Sequence, residues 1–185
     1  MAVIESEMIP LGTKAPDFNL KDATSGQMVI LSKQKSDVAT VVMFICNHCP
    51  FVKHIQKKLA EVAQSYQKQG VVFLGINAND FIAYPSDSPE NMKRVAAEND
   101  YSFPYLIDET QDVARAYNAV CTPEFYIFDA NLKCIYRGRF DDSTPGNGVK
   151  VTGNDLTTAL DQVLKGQDAD LEQIPSRGCS IKWKP

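Results

Sequence analysis

The chain has 185 residues, of which 44% are hydrophobic and 23% charged, which supports one globular domain over residues 1–185 with its own hydrophobic core. The formal net charge of -4, without a block of lysines and arginines, argues against a surface for nucleic acid. The N-terminal segment holds two acidic residues and no long apolar run. We therefore expect no secretory signal, no membrane-spanning helix and a cytoplasmic location.

Hydrophobic patterning predicts an α/β chain with a short β preamble, a central βαβ unit, a later hairpin and a closing helix. The predicted elements, in chain order, are strands at 15–20, 28–31 and 39–45, a helix at 51–66, a strand at 71–76, a helix from Pro89 capped by Ser88, a strand at 104–107, a short helix at 111–117, strands at 125–128 and 134–137, and a helix at 156–164. Residues 167–185 are predicted to form a polar tail anchored by Ile174, Ile181 and Trp183.

A pair of cysteines, Cys46 and Cys49, stands between the buried strand and the amphipathic helix. The first N–H groups of a helix have no partner within it, and with the helix dipole they favour negative charge. A thiol at this position ionises more easily, and the thiolate is the nucleophile in disulfide chemistry. Cysteines three apart on a helix have Cβ atoms about 5–6 Å apart, close enough to bridge. The pattern predicts a redox-active dithiol.

Metal binding is a second interpretation of the same segment, with Cys46, Cys49 and either His48 or His54 as ligands for zinc or copper. A CxxC motif is also half of a structural zinc site, but this sequence has no second one, and its two histidines lie in the same helical segment. We therefore expect no bound metal and no organic cofactor.

The order of a strand, a CxxC-headed helix, a second strand, a helix, an X-Pro step and a hairpin resembles the thioredoxin fold. The residues Ala15-Pro16-Asp17-Phe18 and the internal helix resemble the redoxin branch of that fold. This branch includes peroxiredoxin-like proteins (the AhpC/TSA group) and thioredoxin-like disulfide reductases. The resemblance covers about residues 11–166. It implies a central mixed β-sheet flanked by helices, with an N-terminal β extension and a C-terminal tail over 167–185.

This resemblance also implies the roles of the site residues. Cys46 would attack a disulfide, and Cys49 would resolve the mixed disulfide and release the product. Thr122-Pro123 matches a cis-proline segment that packs against the dithiol and offers backbone groups to the substrate. His48 either favours the Cys46 thiolate or is a solvated side chain at the helix start. Protein or small-molecule disulfides would be the substrates, with a thioredoxin-like protein or glutathione as electron donor.

Two departures from the family patterns bear on the reaction. Thr40 stands where thioredoxins have a carboxylate, six residues before the first cysteine. In the peroxiredoxin pattern PxxxTxxC, Cys49 aligns with the peroxide-attacking cysteine, but Cys46 replaces the threonine and Val42 the proline. Pro123 stands about where the catalytic arginine of peroxiredoxins is expected. We therefore expect disulfide exchange, with a thiol peroxidase as the alternative.

Three further cysteines lie outside the pair. Cys121 precedes Thr122 and is expected near the dithiol, as an auxiliary thiol or as a small buried side chain. Cys134 alternates within a strand and is expected to be structural. Cys179, in the tail, could be an exposed thiol that forms mixed or intermolecular disulfides, unless Trp183 buries the tail.

Overall fold

The computed structural model describes residues 3–169 and 172–185, so residues 1–2 and two positions of the predicted tail, 170–171, lie outside the described part. The strands are β1 Val3–Glu5, β2 Asn19–Asp22, β3 Met28–Ile30, β4 Ala39–Phe44, β5 Val72–Asn77, β6 Tyr105–Ile107, β7 Cys121–Thr122, β8 Glu124–Asp129, β9 Cys134–Gly138 and β10 Arg177–Ser180. The helices are α1 Leu31–Gln34, α2 Pro50–Gln67, α3 Pro89–Glu98, α4 Asp112–Ala116 and α5 Asn154–Leu164, with a 3-10 turn at Pro85–Asp87.

The central sheet is mixed, as predicted, with strand order β3-β2-β6-β5-β4-β8-β9. Strand β4 pairs in parallel with β5 and antiparallel with β8, and β8 and β9 form the predicted hairpin. All six residues of β4 are buried. A strand covered on both faces explains why this stretch is almost continuously apolar in sequence.

Helices cover both faces of this sheet. Because side chains alternate along a strand, Val41 and Met43 of β4 pack in the cluster that includes α2, α3 and α5, whereas Val42 and Phe44 pack in the cluster that includes α4. Helix α2 turns its predicted apolar stripe, including Leu59, into the first cluster. No helix among the described residues has both the length and the apolar character that a bilayer crossing requires.

The predicted element boundaries differ most in the preamble. Strand β2 begins at Asn19 and not at residue 15 as predicted. Pro16 has no N–H to donate to a neighbouring strand, and the N–H of Phe18 donates to the carboxylate of Asp17. Strand β3 ends at Ile30, and the next residues form the single-turn helix α1. The prediction of Ser88 as the N-cap of α3 is confirmed, since its hydroxyl accepts the N–H of Asn91 at 3.3 Å.

The tail contains a strand that the sequence analysis did not predict. Within a second sheet of order β1-β10-β7, β10 pairs antiparallel with β1 near the N-terminus and with β7 beside the proposed cis-proline segment. Ile181 is buried, as expected of an anchor, whereas Trp183 is 37% exposed and lies against the guanidinium of Arg115. Backbone pairing across the chain, more than the tryptophan, therefore holds the tail in place.

Strand β10 approaches β7 more closely than a side chain would allow at one position. A Cβ atom at Gly178 would lie 2.0 Å from the carbonyl oxygen of Thr122. Glycine is therefore required at this position for the tail to reach the segment before Pro123.

Glu124, the first residue of β8, also stabilises the segment before Pro123. Its buried carboxylate accepts the N–H groups of Val120 and Cys121 at 3.1 and 3.3 Å and a hydrogen bond from the hydroxyl of Tyr126. Burial raises the pKa of Glu124 to about 6, although these hydrogen bonds oppose the shift.

We expect Gly178→Ala to lower the free energy of unfolding by about 1–3 kcal/mol, the usual cost of overpacking, because either β10 or Thr122 must move. Urea denaturation measures the change. Ser180→Ala, in the same strand, is the matched control and should stay within about 0.5 kcal/mol of the wild type. Equal unfolding free energies for Gly178→Ala and the wild type would contradict the close approach.

The Glu124 carboxyl makes a pH-dependent contribution to stability. Because the folded pKa of about 6 lies above the unfolded value of 4.5, the folded state binds the proton more tightly. This contribution is fully present below pH 4.5 and is lost as the pH rises through 6. Relative to Glu124→Gln, the wild type should lose about 2 kcal/mol of unfolding free energy across this window. Urea denaturation of both proteins at pH 4 and pH 7 tests this, and a difference that does not change with pH would refute it.

Candidate active site

The CxxC segment forms a bend between β4 and α2. Cys49 is the N-cap residue, with φ -68° and ψ 125°, and Pro50 is the first residue of the helix. Proline is favoured at this position and disfavours helical backbone in the residue before it. Cys46 therefore lies outside the helix, and the expectation that both cysteines stand on one helical turn is wrong.

The dithiol is enclosed and packed against the segment before Pro123. Cys46 is 2% exposed and Cys49 is fully buried. The Cys46 sulfur lies 3.3 Å from the hydroxyl oxygen of Thr122, and the Cys49 thiol donates to the Thr122 carbonyl oxygen at 3.2 Å. The Thr122-Pro123 peptide bond is cis. The structure thus brings together four of the residues that the sequence analysis singled out.

The surroundings of the two thiols shift their pKa values in opposite directions. Interaction with Cys49, burial and the negative charge of Asp87 raise the pKa of Cys46. Interaction with Cys46, helped by Cys179 and by the N–H of Val52 at the helix start, lowers the pKa of Cys49 to about 5 in spite of its burial. At neutral pH the pair therefore shares one negative charge and one proton.

The contacts with Thr122 bear on which sulfur carries this charge. A thiolate on Cys49 would face the carbonyl oxygen of Thr122 at 3.2 Å, a repulsive contact, whereas a thiol there donates to it. A thiolate on Cys46 would accept from the Thr122 hydroxyl at 3.3 Å. The hydrogen bonds thus favour a Cys46 anion beside a Cys49 thiol, although the pKa values favour the reverse. Because a proton need only cross between adjacent sulfurs, we take the hydrogen-bonded arrangement as the reactive form.

His48 is held by a buried carboxylate that the sequence analysis missed. Asp87, 1% exposed, accepts the N–H of Asn47 at 2.7 Å and the side-chain amide of Asn79 at 2.8 Å, and it lies 2.6 Å from His48 Nδ1. Burial alone would raise the pKa of Asp87, but these hydrogen bonds outweigh it and lower the pKa. The His48 ring also stacks on Tyr84 at 5.6 Å between centroids. His48 is therefore not a solvated side chain.

Cys46, His48 and Asp87 bring possible metal-ligating atoms within 4.8 Å of one another, which tests the metal interpretation. His48 Nδ1 and an oxygen of Asp87 are 2.6 Å apart. Two ligands of a tetrahedral zinc ion with bonds of 2.0–2.1 Å would be roughly 3.3 Å apart. This group also differs from the expected ligand set, since it contains neither Cys49 nor His54. The geometry is that of a hydrogen-bonded His48–Asp87 pair that lies beside Cys46.

The remaining cysteines differ in their surroundings. Cys121 is buried, and burial together with the negative charge of Glu124 raises its pKa, so it is a poor nucleophile. Burial raises the pKa of Cys134 to about 12, consistent with a structural role. The interpretation of Cys179 as an exposed thiol is wrong, because β10 buries it, at 2% exposure, in the cluster that contains Cys46 and Cys49.

Asp87 places a buried negative charge beside the first thiol, at a position unrelated to Thr40, where thioredoxins have a carboxylate. It belongs to the segment between β5 and α3, to which the sequence patterns assign no element. The length of this loop was the one signal available, since long ordered loops are often functional. Nothing in the local sequence separates Asp87 from an ordinary residue before a helix start.

Comparisons with known proteins agree with this architecture. The model of the AhpC/TSA family matches residues 11–137. The thiol-disulfide oxidoreductase ResA of Geobacillus thermodenitrificans is 26% identical over 130 residues, which cover 70% of this chain and 69% of ResA.

Two solved structures are similar along most of their length. An uncharacterized conserved protein from Geobacillus kaustophilus is 58% identical, with a TM-score of 0.98, over 100% of this chain and 98% of that one. The thioredoxin domain of a Bacteroides vulgatus thiol-disulfide oxidoreductase is 19% identical, with a TM-score of 0.60, over 70% of this chain and 89% of that one, and it shares the fold. The chain therefore belongs to the AhpC/TSA family and is an oxidoreductase with a thioredoxin-like fold.

Proposed function

We propose that the chain is a thiol–disulfide oxidoreductase in which Cys46 is the attacking thiol and Cys49 the resolving thiol. The observation that carries the proposal is the pair of contacts with Thr122, whose hydroxyl stabilises an anion on Cys46 while its carbonyl holds the proton on Cys49. The name of the relative ResA, a thiol-disulfide oxidoreductase, supports the same reaction class.

In the first step, the proton of Cys46 passes to Cys49, and the Cys46 thiolate attacks one sulfur of the substrate disulfide. A new bond joins Cys46 to that sulfur, and the other substrate sulfur leaves as a thiolate. In the second step, Cys49 attacks the Cys46 sulfur and the bound substrate sulfur leaves, taking the proton from Cys49. The substrate gains two electrons and two protons in total, counting one proton from solvent, and the enzyme ends with a Cys46–Cys49 disulfide.

A cleft of about 360 Å³ beside Pro123 is the proposed docking place for the substrate. Phe51 and Ile55 of α2 form part of its wall, with Arg139 and Arg177 among its polar lining. Glu5, Asp141 and Asp142 also line the cleft, so it offers apolar side chains and charges of both signs to a protein or small-molecule disulfide. A thioredoxin-like protein or glutathione is the proposed electron donor. We also propose a cytoplasmic location and a reaction without metal or organic cofactor.

The roles of the two cysteines can be tested by trapping. Cys49→Ser, incubated with oxidised glutathione, should accumulate one glutathione on Cys46, because the resolving thiol is missing. Mass spectrometry of the tryptic peptide 36–53 measures the adduct. Cys134→Ser, which removes a buried cysteine outside the dithiol, is the matched control and should accumulate none.

Cys46→Ser completes this experiment and should neither accumulate an adduct nor exchange disulfides. An adduct on Cys49 in Cys46→Ser, with none on Cys46 in Cys49→Ser, would reverse the two roles. No adduct in either variant would refute disulfide exchange through this pair.

A second prediction concerns the negative charge of Asp87 beside Cys46. In a Cys49→Ser background, Asp87→Asn should lower the pKa of Cys46 by about one to two units, because it removes a like charge that opposes the thiolate. The rate of alkylation by iodoacetamide as a function of pH measures this pKa. Asp80→Asn, in the same loop, serves as control and should leave the profile in place. An unchanged profile in Asp87→Asn would show that the charge does not act on Cys46.

A thiol peroxidase is the second candidate function, and a different observation favours it. The pKa of Cys49 is lowered to about 5, and the enclosed dithiol admits a hydroperoxide more easily than a folded protein. A rapid stoichiometric reaction of the reduced protein with hydrogen peroxide would support this function if it survived Cys46→Ser and was lost in Cys49→Ser. A slow reaction in all variants would leave disulfide exchange as the activity.

A further inference from the structure

Cys179 stands at a position that the proposed two-cysteine reaction leaves unused. In the antiparallel pairing of β10 with β7, Cys179 lies directly opposite Thr122. Residues directly opposed in an antiparallel pair project to the same face of the sheet. The side chain of Thr122 contacts the Cys46 sulfur on its face, so the side chain of Cys179 points to the dithiol as well.

The neighbour of Cys179 in this group is Cys49. Cys49 and Cys179 are buried in one cluster with Cys46, and Cys49 donates to the carbonyl oxygen of Thr122, the residue directly opposite Cys179. Cys49 therefore has a second sulfur beside it, on the side of the tail, in addition to Cys46 on the side of the bend. The Cys121 sulfur instead contacts the Glu124 carboxylate, and Cys134 packs in the cluster on the opposite face of the sheet.

We propose that Cys179 is a third redox-active thiol, which attacks the Cys49 sulfur of the Cys46–Cys49 disulfide and moves the disulfide to Cys49–Cys179. This relay rests on the proposed function, because that reaction forms the first disulfide. The sulfur–sulfur bond between Cys46 and Cys49 breaks, and a bond between Cys49 and Cys179 forms. The electron pair of the broken bond stays on Cys46, which takes up the proton that Cys179 releases. One disulfide is present before and after, so no oxidant is needed.

Oxidation of the dithiol removes one of the effects that oppose a thiolate on Cys179. In the reduced protein, burial and the neighbouring Cys49 raise the pKa of Cys179 to about 12, and the ammonium group of Lys182 opposes this shift. Once Cys49 is in a disulfide it carries no negative charge, so a thiolate on Cys179 meets less repulsion. Oxidation of the dithiol therefore favours the Cys179 thiolate, although burial still raises its pKa.

The relay has two consequences for the site. Cys46 becomes a free thiol again while the chain remains oxidised, so it can react with a second molecule. The tail becomes covalently joined to Cys49, the N-cap residue of α2, which holds β10 over Thr122. Oxidation of the protein thus fixes the strand that encloses the dithiol.

Disulfide mapping tests the relay on the full chain. The reduced protein is treated with one equivalent of diamide, its free thiols are blocked with N-ethylmaleimide, and it is digested with trypsin. A Cys49–Cys179 disulfide joins peptide 36–53 to peptide 178–182 and leaves the blocking group on Cys46. If the two disulfides have equal free energies, this linked pair accounts for about half of the oxidised protein.

Three variants complete the test. Cys46→Ser should form the linked peptides directly, since Cys49 and Cys179 remain, and Cys179→Ser should contain only the internal disulfide of peptide 36–53. Cys134→Ser is the matched control and should give the wild-type pattern.

The outcomes separate this inference from the proposed function. An internal Cys46–Cys49 disulfide with Cys179 blocked in the wild type, and no linked peptides in Cys46→Ser, would overturn the relay and leave the proposed function standing. Linked peptides that carry the blocking group on Cys49 would overturn the relay too. If neither disulfide forms and every cysteine is blocked, the proposed function fails with it.

Discussion

Thr122 is the residue on which the geometry of the candidate site depends. Its hydroxyl lies beside the Cys46 sulfur, its carbonyl accepts from Cys49, and its backbone pairs with the strand that holds Cys179. A buried thiolate is unstable without hydrogen-bond donors, so these contacts favour a negative charge on Cys46, against the direction of the pKa shifts. Strand β10 and both cysteines of the bend between β4 and α2 therefore contact this one residue.

The enclosure of the dithiol follows from the tail. Strand β10 pairs with the backbone of β7, which the family resemblance assigns to a bound substrate. Gly178 allows β10 to lie close to the carbonyl oxygen of Thr122. Burial of Cys46 and Cys49 protects a reactive pair from bulk solvent, but it also restricts which molecules reach the sulfurs. Access and reactivity are therefore linked through the position of β10. The same pairing of β10 with β7 buries Cys179 in the cluster that contains the dithiol.

Electrostatics at the site come from groups that lie far apart in sequence. Asp87 brings a negative charge to the side of Cys46, and its hydrogen bonds to Asn47 and Asn79 lower its pKa enough to keep the carboxylate ionised. Glu124 places a second buried carboxyl under the segment before Pro123, where burial raises its pKa. The site thus contains two buried carboxyl groups whose pKa values are shifted in opposite directions. Neither is at the position of Thr40, where thioredoxins have a carboxylate.

Local patterns in the sequence determined the main elements and the dithiol. The apolar run of β4, the stripe of α2 and the Ser88 cap each depend on residues within a few positions of one another, and all were predicted. The Cys46–Cys49 pair was found in the same way, because a motif at a strand-to-helix junction is a local feature. The placement of Cys46 outside the helix was not predicted, because the helix begins at Pro50.

Tertiary structure alone decided the rest. Asp87 reaches the dithiol because a loop folds back over the bend, and Cys179 reaches it because β10 pairs with β7 across more than fifty residues of chain. Strand formation in the tail needs hydrogen-bonding partners from both the N-terminus and β7, so no pattern within residues 177–180 predicts it. A thiol's pKa likewise depends on neighbours brought together by folding, which spacing along the sequence does not encode.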